Sequence, residues 1–291
     1  MSEILQYLLS GITTGAIYAV IALGFTMLYN ATELVNFAQG EFVMLGSLGL
    51  FTLLSALGWP LWAAFPTVTL AVGLLGVLLE RLAIRPVKKP EPITLIIITV
   101  GAGIFLRGLA MLFWGKDPHS VSGFGAGAPI RIRGAAIMPQ SLWILAVVAL
   151  LMVGLHLFTK RTLTGKAMEA CAINRNGAWI LGIPSDRMVL LAFAMSAALG
   201  GIGGIIISPI TMAAYDMGTM LGLKGFCAAM LGGLGSHWGA AVGGLLLGVL
   251  ESLGVGLVSS GIKDAIAFLI LLVILMARPS GILGQKAATR F

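Results

Sequence analysis

Charge is what this sequence most lacks. Only 10% of its 291 residues are Asp, Glu, Lys or Arg, where a water-soluble domain carries about 25%. With an apolar share of 58% and a mean hydropathy of +1.03, that scarcity excludes a soluble enzyme, a disordered chain and a nucleic-acid binder. Cysteine is nearly absent: Cys171 and Cys227 are the only two, so neither a disulfide framework nor a thiolate metal centre is readable. The three histidines, His119, His156 and His237, have no metal-ligand spacing. There is no G-x-x-x-x-G-K-[ST] loop, because Gly165-Lys166 is followed by Ala167, and no G-x-S-x-G elbow. No catalytic constellation and no bound cofactor or metal is therefore expected, and any ATP used must be held by another chain.

What the sequence has is long apolar runs and 40 glycines. A bilayer core takes roughly 17–25 apolar residues as a helix, and eight runs approach that length: 4–28, 42–57, 61–79, 93–114, 142–158, 188–208, 239–258 and 262–277. A ninth, 225–234, is too short to cross unaided. The first run has no basic preface or A-x-A cleavage site, so it is expected to be a retained span. The fold class is all-α: a polytopic membrane protein of eight to nine transmembrane helices in one domain, residues 1–291.

Basic residues orient these spans. Arg81, Arg85, Lys88 and Lys89, then Lys160, Arg161, Lys166, Arg175 and Arg187, then Arg278, Lys286 and Arg290 make up 12 of the 18 Lys and Arg. Short loops rich in Lys and Arg stay in the cytoplasm, so the N-terminus is expected outside, the C-terminus inside, and the 159–187 loop inside. The link 29–41 breaks the scheme, having no Lys or Arg but two acids, Glu33 and Glu41. Irregular backbone is tolerated at membrane depth only when protein or a wet cavity surrounds it, so this link is expected to dip back into the protein. The two halves begin on opposite sides, which raises the expectation of an inverted repeat.

Several residues stand out against this apolar background. Asn36, Gln39 and Glu41 sit at the head of the second span, where they either line a polar translocation path or satisfy backbone groups freed by the break. Glu251 lies deep in its span, and an intramembrane charge usually has a partner; Lys224 and Lys263 are the candidates for an ion pair. Arg107, seven residues before Trp114, is expected to snorkel outward. Glycine pairs four apart, such as Gly11 with Gly15 and Gly200 with Gly204, allow close helix crossings, and 239–248 is the candidate seam with another subunit. In the inner loop, Thr164 is expected to cap one short helix, Asn176-Gly177 to break it, and Trp179 and Leu181 to project from a second. That knob suits either a groove on a cytoplasmic partner or the lipid interface.

Family resemblance favours the partner. Glu169-Ala170-Cys171-Ala172 followed by Gly182-Ile183 resembles the coupling loop of permease subunits in bacterial ABC importers. With LVNFAQGEFVMLGS at 34–47, AMLGGLGSHWGAAVGGLLLGVLE at 229–251 and RPSGILG at 278–284, the chain resembles the permeases of branched-chain amino acid ABC importers from residue 1 to about 284. The resemblance implies a multi-pass subunit of the bacterial inner membrane, with a second homologous permease, two cytoplasmic ATPases holding ATP and Mg, and an external substrate-binding protein. It also implies a coupling set in the inner loop: Gly165, Glu169, Ala170, Asn174, Ala178, Trp179, Leu181 and Gly182. Urea and short-amide importers use closely related permeases and remain the alternative substrate class. A stand-alone secondary transporter is disfavoured, because no acidic or histidine relay runs through the spans.

Overall fold

The computed structural model describes residues 2–87, 91–124, 128–132, 134–259, 261, 263–278 and 280–284. Lys88, Lys89, Lys286 and Arg290 of the basic segments, and Ile262 at the head of the eighth expected span, lie outside the described residues. The helices are α1 (Ser2–Thr32), α2 (Gln39–Phe51), α3 (Leu61–Leu79), α4 (Pro92–Trp114), α5 (Pro139–Arg161), α6 (Leu163–Ile173), α7 (Arg175–Ile180), α8 (Ser185–Ile207), α9 (Met217–Gly232), α10 (His237–Leu257) and α11 (Lys263–Ala277). A small antiparallel ribbon, β1 (Ile130–Ile132) with β2 (Ala135–Ile137), precedes α5. The helices α2 and α3 each continue through one wider turn, Thr52–Ala56 and Glu80–Ile84. Among the described residues, seven helices are long and apolar enough to cross a membrane, and α9 is a shorter apolar one.

Local sequence explains the starts and stops. Proline opens α4 and α5 at a position where the missing N–H would find no helical partner. Between α1 and α2 the chain turns back at Glu33, whose φ of 57° is unusual for a residue with a side chain. The following stretch then runs into the protein. Gln39 meets Ser196, the twelfth of the 23 residues of α8, and Gly103, the twelfth of the 23 residues of α4, faces the side chain of Glu41. The head of α2 therefore sits half-way along its neighbours, as the expected re-entrant link requires.

The second half repeats this pattern in reverse. After α8 the chain folds inward through 208–216, and α9 begins with Gly218 packed against the backbone of Gly40. The packing pairs match: α1 lies on α10 as α8 lies on α3, α2 lies on α8 as α9 lies on α1, and α4 touches α2 as α11 touches α9. Two repeats of four helices, running in opposite senses and crossing at their second helices, α2 and α9, account for all of these contacts.

Glycines make the crossings close. Added methyls on Gly244 and Gly248 would strike the backbones of Ala19 and Gly15 on α1, and one on Gly243 would strike Ala228 and Gly232 on α9. The glycines of 239–248, the candidate subunit seam, are thus spent inside the chain, while Leu245 and Leu246 of the same stretch stay exposed. Gly239, Gly243, Gly244 and Gly248 are buried within the chain, because α10 uses them to reach two helices of its own fold. Large apolar side chains are left uncovered on several helices, among them Leu70 and Leu74 of α3, Ile97, Ile104 and Leu112 of α4, Leu150 and Leu157 of α5, and Leu269 and Met276 of α11.

The two ends lie on opposite sides of the bundle. Gln6 near the start of α1 holds Ala136 of the ribbon by two hydrogen bonds, 2.8 and 3.2 Å. Residues 281–284 pack on Gly233, where the backbones of Ile282 and Leu283 donate to Leu231 and Gly232. Gly233, with φ +102°, adopts a conformation that suits glycine and leaves that face open for the C-terminal segment.

Candidate functional site

Two clusters of polar residues in the apolar interior and one surface loop are the candidates. The first is the crossing of α2 and α9. Gln39 is fully buried; its Nε2 donates to the Ser196 carbonyl at 2.9 Å, and the Ser196 hydroxyl lies 2.8 Å from both Gln39 Oε1 and the Gly24 carbonyl. Gln39 thus ties α2 to α1 and α8 at mid-depth. Asn36 Oδ1 accepts from the Ala38 backbone at 3.0 Å, while its Nδ2 has no partner among the described residues. Glu41, 5% exposed, accepts from Thr219 at 3.1 Å through Oε1, and its Oε2 has no partner among the described residues. Arg107 completes the group by donating from Nη1 to Thr219 at 2.7 Å. The snorkelling expectation for Arg107 is corrected here: with Thr219 and the Glu41 carboxylate inside the protein, the guanidinium turns inward, since an inner counter-charge costs less than an unpaired passage along the span.

The second group is a buried charge cluster. Lys224 on α9 lies 3.0 Å from Glu251 on α10 and 2.7 Å from Asp264 at the head of α11. Lys263 reaches Glu251 at 3.5 Å. The Tyr18 hydroxyl of α1 is 3.0 and 3.1 Å from the two Glu251 oxygens. Two cations and two anions balance, which makes burial of Lys224 at 4% and Glu251 at 1% exposure tolerable.

The third is the loop between α5 and α8. Thr162 caps α6 by accepting from the Gly165 backbone at 2.9 Å, and Asn174 caps α7 by accepting from Gly177 at 2.9 Å. The two short helices are where they were expected, but the cap is Thr162 rather than Thr164, and the break falls at Asn174 rather than Asn176-Gly177. Gly165 is pressed against the Phe158 and Thr159 backbones, so no larger residue fits this turn. Ala170 accepts from the Asn174 backbone, Ala178 is buried and accepts from Ile183, and Gly182 ends the loop at φ +81°. Glu169 pairs with Lys160 at 3.2 Å. Around the tip, Trp179, Ile180 and Leu181 are 73%, 78% and 81% exposed. Beside them Arg85 and Arg175 share Asp186, at 3.7 and 2.9 Å. A cavity of about 440 Å³ separates α6 from the end of α1, lined by Thr32, Glu33, Cys171, Asn174, Arg175 and Ser185.

Two helices whose heads, at Gln39 and Met217, begin inside the bundle, together with a loop carrying an apolar knob, suit a transport subunit, and comparison with known proteins agrees. A family described as the permease component of branched-chain amino acid transport systems matches residues 7–275. The chain belongs to this family. It is 36% identical to the high-affinity branched-chain amino acid transport system permease protein BraD of Pseudomonas aeruginosa, over 97% of this chain and 96% of that one. It is 35% identical to the corresponding LivH protein of Escherichia coli with the same coverage. A probable branched-chain amino acid permease of Methanocaldococcus jannaschii is 28% identical over 91% of this chain and 88% of that one.

Sequence reasoning missed part of this permease's polar network. Ser196 is an ordinary small residue in an apolar run, Thr219 lies outside every such run, Tyr18 reads as one more aromatic, and Asp264 as a charge at the head of the 262–277 span. Their partners lie up to 233 positions away. Only the rarity of polar groups in long apolar runs could have drawn attention to Ser196, Tyr18 and Asp264.

Proposed function

We propose that this chain is the membrane-spanning subunit through which an ATP-driven importer carries aliphatic amino acids into a bacterial cell. In this reading it lies in the inner membrane with its N-terminus outside and its C-terminus in the cytoplasm, and its nine passages include α9 and α11. It pairs with a second homologous permease, receives substrate from an external binding protein, and rests on two ATPases that hold ATP and Mg. The observation that carries the reading is the family match over nearly the whole length. The exposed knob of Trp179, Ile180 and Leu181 on the side rich in Lys and Arg supports it, because such a cluster at the end of a rigid helix pair is a suitable anchor for a partner's groove. Coupling falls to the loop 159–187, in which Gly165, Asn174, Ala178 and Gly182 set the shape, Glu169 and Ala170 brace it, and Trp179 and Leu181 make the contact.

The translocation path runs past Asn36, Gln39 and Glu41. An amino acid carries an ammonium and a carboxylate, so some polar lining is required at mid-depth, while apolar walls accept leucine, isoleucine and valine alike, one methylene being worth only about 1–3 kcal/mol. The test is uptake by the assembled complex in proteoliposomes with leucine offered against urea. Leucine uptake with little urea uptake is expected; uptake of urea alone would move the protein to the urea and amide class.

A further inference from the structure

We propose that Glu41 and Arg107 form the site that grips the charged head of the transported amino acid, with Glu41 taking the ammonium and Arg107 the carboxylate, and that the Thr219 hydroxyl occupies the position between them when no substrate is present. The inference rests on the proposed amino acid transport.

Glu41 of α2 and Arg107 of α4 face one another across Thr219 of α9, yet make no direct ion pair among the described residues. Arg107 donates to Thr219 at 2.7 Å and Thr219 donates to Glu41 at 3.1 Å, so the hydroxyl relays between them. A pair kept only for structure would close up, since charges removed from water gain most from direct, well-formed contacts. Here both ends keep unused capacity. Glu41 Oε2 is buried and without a partner among the described residues, and it lies against Gly218 at the head of α9. Arg107 has five N–H donors and uses one of them among the described residues. An acceptor with a free lone pair and a guanidinium with a free fork, a short distance apart, complement a zwitterion.

The surroundings match the rest of the substrate. One turn beyond Glu41 is Met44 and one turn beyond Arg107 is Ala110; with Leu48, Ala213 and Met217 they form an apolar cluster beside the charges. An aliphatic side chain attached to the gripped head would lie in that cluster. Depth fits as well, because Glu41 packs beside Gly103 at the midpoint of α4, and transporter sites lie near the midplane where repeats meet. To admit substrate, Thr219 must give up both of its bonds and the charges must separate.

The test reads leucine uptake and ATP hydrolysis together, using the complete complex with its binding protein in proteoliposomes. Arg107→Gln and Glu41→Gln are each expected to lower uptake by about tenfold or more while ATP hydrolysis stays within about twofold of wild type. Thr219→Val, which removes only the relay, is expected to lower uptake less than either charge variant does, because substrate supplies its own bridge. Uptake near wild type in either charge variant would overturn the assignment. So would equal losses in Thr219→Val and Arg107→Gln, the pattern of a structural bridge. Where Arg107→Gln fails to assemble, Arg107→Lys keeps the charge but loses the fork; a fall in its uptake at intact assembly supports the site, and unchanged uptake overturns it. A wild-type complex that moves no leucine contradicts the amino acid reading itself, and that result appears before any substitution is made.

Discussion

Lys224 occupies the most demanding position of any single residue in this permease, a cation at 4% exposure between two carboxylates on different helices. Removing one partner from a buried pair costs about 3–5 kcal/mol, because the charge left behind is uncompensated. Lys224→Met is therefore expected to lower the unfolding temperature in detergent markedly. Adding Glu251→Leu should recover most of the loss, since Lys263 and Asp264 can then pair near the surface; a double variant less stable than the single one would contradict this account. At this scale the sequence was informative about anomalies and silent about answers. Glu251 and its two candidate lysines stood out because charge is scarce, whereas Tyr18 and Asp264 did not, because neither is anomalous until the fold brings it to Glu251. Arg107 shows the same limit: its distance along the helix from Trp114 suggested escape to the surface, and only Thr219 and Glu41, on other helices, show why it turns inward.

Among the elements, α10 and the α6–α7 pair behave in opposite ways. The glycines of α10 are spent on close crossings with α1 and α9, so Gly248→Leu would force those backbones apart. Overpacking of this kind costs about 1–3 kcal/mol or more, and a lower yield of folded protein in detergent gel filtration is the expected result. A Gly248→Leu protein of unchanged stability would mean that the crossing is looser than described. The α6–α7 pair instead leaves its large apolar side chains uncovered. Trp179→Ala with Leu181→Ala should weaken association with the ATPase by about 2 kcal/mol or more while membrane insertion is unaffected; unchanged copurification of the ATPase would contradict the coupling assignment. Short helices, their turn and the knob were legible from composition. The capping residues were misplaced by two positions, because Thr162 and Thr164, like Asn174 and Asn176, offer the same chemistry, and only the backbone geometry chooses between them.

For the whole molecule, the paired contacts of the two halves and the opposite placement of the two ends define one oriented bundle. The proposed orientation predicts that a cysteine replacing exposed Asp117 reacts with an impermeant thiol reagent added to intact cells, while one replacing Leu163, 87% exposed on the other side, does not. The reverse labelling would invert the topology. The re-entrant 29–41 link was readable from missing positive charge; against the eight to nine spans expected from hydropathy, seven described helices are long and apolar enough to cross a membrane, α9 and α11 being shorter. The repeat was readable only as opposed orientation, because helices that cross lipid share composition without needing to share sequence; its evidence lies in which helices pack together. The central claim is that this chain carries aliphatic amino acids only as part of an ATP-driven assembly, and the most direct measurement is leucine uptake into proteoliposomes prepared with and without the ATPase pair. The account predicts ATP-dependent uptake by the complete assembly and none when the ATPases are omitted. Full-rate uptake by the permease without them would contradict it.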